Sequence, residues 1–142
     1  MTPFGIYIRH LREERNITLR QMAKGLDVSA AYLSALEHGW RGVPQSMLIQ
    51  QICTLLNLWG DEAEKLSTLA KISDPKVNID TGGLSPKATE FANILAKNIN
   101  LLDDYTLEWL IQEIQGPQQR ESHRYKLPPS MRNQNRRDFR ED

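Results

Sequence analysis

The chain has 142 residues, of which 39% are hydrophobic and 25% charged, and its lone cysteine excludes an internal disulfide. No apolar run reaches the ~20 residues of a membrane span and the N-terminus has no apolar signal stretch, so we expect a cytoplasmic protein without membrane contact. The net charge of zero excludes polyanion binding through bulk charge, because any nucleic-acid surface must then depend on the local placement of Arg and Lys.

The first predicted helix begins at Thr2, where a hydroxyl cap precedes a proline at the first helical position. Its apolar residues, from Phe4 to Leu11, recur at i, i+3, i+4 and i+7, which is typical of an amphipathic helix. Asn16 tolerates a left-handed backbone and is expected to end this helix near Arg15.

The next stretch, residues 18–39, predicts a helix, a tight turn and a second helix. Thr18 and Gln21 have the spacing of a capping box. Asp27 lies where the chain must turn, and short polar side chains tolerate the left-handed conformation needed there. Ser29 is expected to cap the second helix, and Gly39 to end it.

The helix after Ser29 has two unlike faces. Leu33 and Leu36 are predicted to be buried, which leaves a slim outer face made of Ala30, Ala31, Ser34 and Ala35. A helix that docks close to base-pair edges needs such a face. An αα-hairpin in any helical bundle has similar caps and apolar faces. Spacing alone therefore does not decide between a DNA-binding helix pair and an ordinary structural hairpin.

Two further helices are predicted before residue 73. One begins near residues 44–46; the other begins at Asp61, which has the spacing of a capping pair with Glu64. Cys53 lies in the apolar run 47–58 and is expected to be a small core residue. The residues predicted to face inward are Leu48, Ile52, Leu55, Leu56, Leu66, Leu69 and Ala70.

A connector, residues 74–84, separates these helices from two more. Ser85 and Pro86 repeat the cap-and-proline start of a long helix that runs to Leu102, and Asp103 or Asp104 caps a last helix that stops at Gly116. Two such helices are too small for a core of their own, so we favour burial against a second copy over folding back onto the first domain. The predicted dimerisation residues are Phe91, Leu95, Ile99, Leu102, Leu107, Leu110, Ile111 and Ile114.

The tail, residues 117–142, has seven cationic and four acidic residues and few apolar ones. This composition cannot bury enough surface to offset the entropy of ordering, so we expect a disordered, basic tail. Its role stays open between a flexible DNA-binding arm, a solubilising extension and a segment that folds on a protein partner.

From about Phe4 to Leu58 the chain resembles the lambda-repressor-like, or XRE-type, helix-turn-helix family. Asp27 stands where the family usually has glycine, and Ala30, Ala31 and Ala35 replace the Gln or Arg side chains that often read bases. The residues that carry the resemblance are Ile8 to Arg12, Ile17-Thr18, Gln21 to Ala23, Leu26 to Ser29, Tyr32 to Ser34, Leu36 to Gly39 and Pro44.

The resemblance implies a compact five-helix domain that docks its third helix in the major groove, predicted at residues 1–73. With the connector (74–84), the helical hairpin expected to dimerise (85–116) and the tail (117–142) inferred above, we expect an all-α protein. The resemblance also implies a transcriptional regulator, in the typical case a repressor, that binds double-stranded DNA as a homodimer on a two-fold operator. Arg12 and Glu37 match a structural ion pair. The implied DNA-binding residues are Thr18, Leu19, Arg20, Ser29, Ala30, Ala31, Tyr32, Ser34, Ala35, Trp40 and Arg41; Arg9 and Lys24 are further candidates for phosphate contacts.

Other functions are weaker readings of the same residues. The three histidines are scattered, no metal-ligand spacing or glycine-rich phosphate loop is present, and we expect neither an enzyme nor a cofactor. An antitoxin that binds a toxin protein through residues 75–142 is the main alternative. The alanine-rich outer face also fits a protein-interaction module that does not bind DNA.

Overall fold

The computed structural model describes residues 1–116, whose regular elements are all helical, as the all-α prediction requires. The helices are α1 (Pro3–Glu14), α2 (Leu19–Gly25), α3 (Ala30–His38), α4 (Ser46–Leu56), α5 (Asp61–Lys71), α6 (Pro86–Asn98) and α7 (Asp104–Gln115), with a 3-10 turn at Ile99–Leu101. The chain separates after Asn78 into two compact units. The disordered tail predicted at 117–142 lies outside the described residues.

Most helices begin directly after the residues that the sequence predicts to cap them. Thr18 and Gln21 form both bonds of the capping box: the Gln21 amide donates to the Thr18 hydroxyl at 3.1 Å, and the Thr18 amide donates to the Gln21 side chain at 2.8 Å. The side chains of Thr2, Ser29, Ser85 and Asp103 each accept one amide N–H at the start of α1, α3, α6 and α7. These bonds satisfy amides that have no partner inside the helix.

One apolar core holds the first unit together, and α1 and α3 supply most of its large, fully buried side chains. Cys53 packs against this core, and burial raises the pKa of its thiol, as expected of a structural cysteine. The fully buried large side chains are Phe4, Ile8, Leu11, Met22, Leu33, Leu36, Ile52 and Leu66.

The N-terminal turn of α1 is tied to two other helices. The amide of Thr2 donates to the carbonyl oxygen of Glu37 at 3.0 Å, which joins α1 to the end of α3. The Ser73 hydroxyl accepts from the Phe4 amide at 2.9 Å and donates to the Leu69 carbonyl at 2.6 Å, so the segment after α5 also reaches α1. These bonds hold the start of α1 against the end of α3 and against the segment after α5.

Two predictions in the first unit are wrong. Asp61 does not cap α5: Gly60, with φ of 58°, is the residue before the helix, and Asp61 is its first helical residue. A carboxylate there still favours the helix through the positive N-terminal dipole. Leu55 is 39% exposed, because the buried stripe of α4 runs through Leu48, Ile52 and Leu56 and places Leu55 over Gly25.

The second unit differs from prediction at the end of α6. The predicted long helix through Leu102 is wrong: α6 stops at Asn98, and the chain tightens into the 3-10 turn. The Asn98 side chain donates to the Ile94 carbonyl at 2.7 Å, and such bonds compete with continued helix. The α6 helix has no buried residue.

The helices of residues 1–116 are all too short or too polar to cross a membrane.

Candidate nucleic-acid interface

The turn between α2 and α3 is built from local chemistry. Asp27 adopts φ of 55°, and the Val28 amide donates to the Ala23 carbonyl at 3.0 Å, which closes the end of α2. Ser29 then accepts from the Tyr32 amide at 3.0 Å and starts α3. The two helices therefore meet through a four-residue turn, the arrangement in which the second helix of a helix-turn-helix reads DNA.

The outer face of α3 is narrower than the sequence predicts. Ala31 is exposed, and Ser34 and Ala35 are half-buried on the same side of the helix. Ala30 is also half-buried and packs against the core, and Tyr32 does so as well. Both residues lie about a quarter-turn from Ala31, since each step along a helix rotates the side chain by about 100°.

Exposed cations lie on both sides of this helix in the chain. The side chains of Arg20 and Lys24 on α2 and of Arg41 after α3 are exposed and form no ion pair with any residue from 1 to 116. Arg9, the fourth candidate for a phosphate contact, instead donates to the Glu13 carboxylate at 2.9 Å. Arg20, Lys24 and Arg41 therefore keep their charges available for a phosphate.

A buried ion pair holds α3 against α1. Arg12 Nη2 lies 3.2 Å from Glu37 Oε1, and Arg12 Nε donates to the same oxygen at 3.3 Å. Burial raises the pKa of the Glu37 carboxyl, while the attraction and hydrogen bonds of Arg12 offset part of that shift. Both side chains are at most 11% exposed, so this pair is closed to DNA.

Two features next to α3 escaped the sequence analysis. Trp40 is 75% exposed, and its ring stacks on His38 with centroids 4.8 Å apart and an interplanar angle of 21°. Gly5 of α1 touches the backbone of Glu37 so closely that no side chain fits between them. The i+7 spacing from Ala31 to His38 places His38 on the outer face of α3, but it does not indicate the stacking with Trp40. Nothing local to Gly5 reveals its close contact with Glu37.

Comparison with known proteins gives one family. The family described as "Helix-turn-helix domain" matches residues 3–66. The HTH-type transcriptional repressor RghR of Bacillus subtilis (strain 168) is 30% identical over 114 residues, which cover 80% of this chain and 83% of the relative. The chain belongs to the XRE-like helix-turn-helix family. It is accordingly a DNA-binding transcriptional regulator.

Similarity within this helix-turn-helix family extends beyond the DNA-binding helices. The match to RghR is longer than the first unit, Met1–Asn78, so it must continue into the second. The uncharacterized HTH-type transcriptional regulator RghRB of the same organism is 36% identical over 58 residues, which cover 41% of this chain and 42% of the relative. No solved structure matches the chain significantly.

Proposed function

We propose that this helix-turn-helix regulator is a repressor that binds a two-fold DNA operator as a homodimer, with α3 in the major groove. The observation that carries the proposal is the outer face of α3, where Ala31, Ser34 and Ala35 leave room for base-pair edges and cations lie on either side in the chain. The similarity to a transcriptional repressor, RghR, supports repression rather than activation of the regulated genes.

Contacts to bases come from α3 in this proposal. Ala31 and Ala35 are short enough for their methyl groups to touch a thymine methyl, and the Ser34 hydroxyl can donate to or accept from a base edge. Ala30 and Tyr32, which pack partly against the core, reach DNA only with their exposed edges. Because α3 has few long polar side chains that could bond to bases, sequence-dependent DNA shape supplies part of the selectivity.

Contacts to phosphates come from the surrounding residues. The first turn of α2, with Thr18, Leu19 and Arg20, directs its amides and one guanidinium at the backbone, and Ser29 contacts the next phosphate. Trp40 and Arg41 reach the backbone beyond the other end of α3. These contacts give affinity without sequence preference.

The division between the two kinds of contact predicts different outcomes for two variants. Arg41→Ala should weaken binding to all duplexes alike and lower the slope of log affinity against log salt by about one, because one phosphate contact is lost. Ala31→Gln should change which sequence binds best, because the new amide can bond to an adenine edge. Fluorescence anisotropy over a salt series with two duplexes measures both effects.

A matched control is Lys71→Ala, which removes an exposed cation at the end of α5. This variant should bind like the wild type. If Arg41→Ala changed only the preferred sequence, or Lys71→Ala lowered the salt slope equally, the assignment of Arg41 to a phosphate would be wrong.

Residues 85–116 form the dimer interface in this proposal. Seven apolar side chains of α6, the 3-10 turn and α7 are 47% to 75% exposed, an unusual density of apolar surface for so short a segment: Phe91, Ile94, Ile99, Leu101, Tyr105, Ile111 and Ile114. The other predicted dimerisation residues, Leu95, Leu102, Leu107 and Leu110, are half-buried. A second copy covers this surface and supplies the two-fold axis that an operator with two half-sites requires.

An added charge on the exposed apolar surface should separate the dimer. Phe91→Glu and Ile99→Glu should convert a dimer into a monomer and weaken operator binding at least about tenfold, because two linked domains bind with avidity. Asn93→Glu is the matched control, since it places the same charge on a polar, exposed position of α6. Analytical ultracentrifugation measures the mass; a monomeric wild type, or a dimer in all three variants, contradicts the interface.

Selection of bound sequences from a random DNA pool tests the proposed function directly. The full chain should enrich an inverted repeat whose half-sites lie about 10–10.5 base pairs apart, or a multiple of that spacing. Failure to enrich any sequence would overturn the proposal, and enrichment that needs a second, toxin-like protein would favour the antitoxin alternative.

A further inference from the structure

The exposed face of α3 continues to a residue that the sequence analysis did not assign. Ala31, Ser34, Ala35 and His38 follow the spacing i, i+3, i+4 and i+7, which places all four along one side of a helix. His38 is exposed and is the one ionisable side chain of the four. It lies in the last turn of α3, where the negative end of the helix dipole favours a cation.

The His38 ring is held in a defined orientation. Its Nδ1 lies 2.8 Å from the carbonyl oxygen of Ser34, and a carbonyl can only accept, so Nδ1 carries a proton. Trp40 stacks on one face of the ring, and the Trp40 amide is itself fixed by donation to the Ala35 carbonyl at 2.8 Å. Nε2 is therefore the ring nitrogen left for a ligand, with no partner among residues 1–116.

We propose that Nε2 of His38, in the doubly protonated ring, donates a hydrogen bond to a DNA phosphate at the edge of the groove. This inference rests on the proposed function, because it needs α3 in the major groove. With Nδ1 already donating to Ser34, a neutral ring has a lone pair at Nε2 and repels a phosphate oxygen. Binding therefore takes up one proton from solution at His38, and Trp40 keeps the ring flat against the groove edge.

The surrounding charges allow an imidazolium at this position. Glu37, next to His38 on α3, is paired with Arg12 and also interacts electrostatically with His38, which favours a positive ring. Pro75 packs near Gly39, which brings the segment after α5 close to this end of α3. The other charged groups on the elements around this end include Arg9 of α1, which is paired with Glu13, Arg41 of the following loop, and Asp74 and Lys76 on either side of Pro75. The N-terminal ammonium of Met1 also belongs to this set, because the adjacent Thr2 contacts both Glu37 and Gly39.

Proton uptake makes operator affinity depend on pH. A bound imidazolium needs a proton that is scarcer at high pH, so affinity for the selected operator duplex should fall as the pH rises, by at most tenfold per unit for one proton. His38→Gln should bind about tenfold more weakly at pH 6 and lose this dependence. His38→Lys, which is charged throughout the range, should bind tightly with a flat profile.

The test is fluorescence anisotropy with the operator duplex from pH 5.5 to 8.5 at constant ionic strength, together with calorimetry in two buffers of different ionisation enthalpy, which counts the protons taken up. His10→Gln is the matched control, since His10 lies on α1 and faces Glu14 at 3.2 Å; His123→Gln controls for the tail. Both should keep the wild-type profile.

Two results would overturn the inference. A His38→Gln variant with the wild-type pH profile and proton uptake shows that another group takes up the proton. Sequence-selective binding by the wild type with a flat profile shows that no proton is taken up, and it leaves the proposed function intact. A wild-type chain that binds no duplex at any pH overturns the proposed function and this inference together.

Discussion

Replacing Glu37 by alanine should lower the free energy of unfolding by about 3–5 kcal/mol, because the Arg12 guanidinium would keep its charge in a largely buried position without a partner. The pair joins α1 to the last turn of α3, so the loss also loosens the helix proposed to read DNA. Urea unfolding followed by circular dichroism measures the change. A loss below about 1 kcal/mol would show that water or another group readily replaces the carboxylate.

Two companion variants separate the charge from the packing. Glu37→Gln keeps an oxygen that accepts from Arg12 and should cost less than Glu37→Ala. Arg12→Met in the Glu37→Gln background removes the stranded charge and should recover part of the lost stability, because an apolar pair of similar volume often matches a buried ion pair. This account would be contradicted if the double variant lost more free energy of unfolding than the sum of the losses of Arg12→Met and Glu37→Gln alone.

The pH dependence of stability follows from the same carboxyl. Because burial raises the pKa of Glu37, its contribution to stability is fully present below the unfolded pKa of about 4.3 and is lost as the pH rises through the folded pKa. The wild type should therefore lose stability relative to Glu37→Gln as the pH rises above about 4.3, the unfolded value. The opposite trend would show that attraction to Arg12 outweighs burial.

The sequence predicts the local parts of this fold well. The capping box of Thr18 and Gln21, the left-handed turn at Asp27 and the stop at Gly39 each depend on residues within a few positions of one another. Such features are encoded by short-range hydrogen bonds and backbone preferences, so a single sequence shows them. The apolar stripes likewise predict the all-α class.

Predictions that depend on neighbours distant in sequence are less accurate. Leu55 matches the helical period of α4, yet only the packing of α4 decides that it lies over Gly25 rather than in the core. Asp61 has good capping spacing, but Gly60 takes the cap position because a backbone φ of 58° suits glycine. The early end of α6 at Asn98 has no signal in the apolar periodicity, which continues through Ile99 and Leu102.

The candidate site also has some features that nearby residues determine and others that depend on residues distant in sequence. The outer face of α3 follows from the helical period, and a longer reading of that period also reaches His38. The partial burial of Ala30 and Tyr32 does not follow from it, because the width of the exposed face depends on how closely the neighbouring helices approach. The close approach of α1 to α3 at Gly5 is invisible in the sequence for the same reason.

That close approach predicts a second large loss of stability. A β-carbon on Gly5 would lie 2.7 Å from the α-carbon of Glu37 and closer still to its carbonyl oxygen. Backbone atoms of a buried helix end cannot move aside as a side chain can, so Gly5→Ala should cost roughly 3 kcal/mol, although alanine is the better helix former by ~1 kcal/mol. The variant should also break the bond from the Thr2 amide to the Glu37 carbonyl.

The matched control is Gly25→Ala, also in a helix. A β-carbon there would meet Cδ1 of Leu55 at 2.8 Å, and that partly exposed side chain can rotate away. The helix preference of alanine should then leave the free energy of unfolding within about 1 kcal/mol of the wild type. Urea unfolding of both variants decides the matter: equal losses would mean that α1 and α3 can separate by the width of a methyl group, and that Gly5 does not set the position of α3.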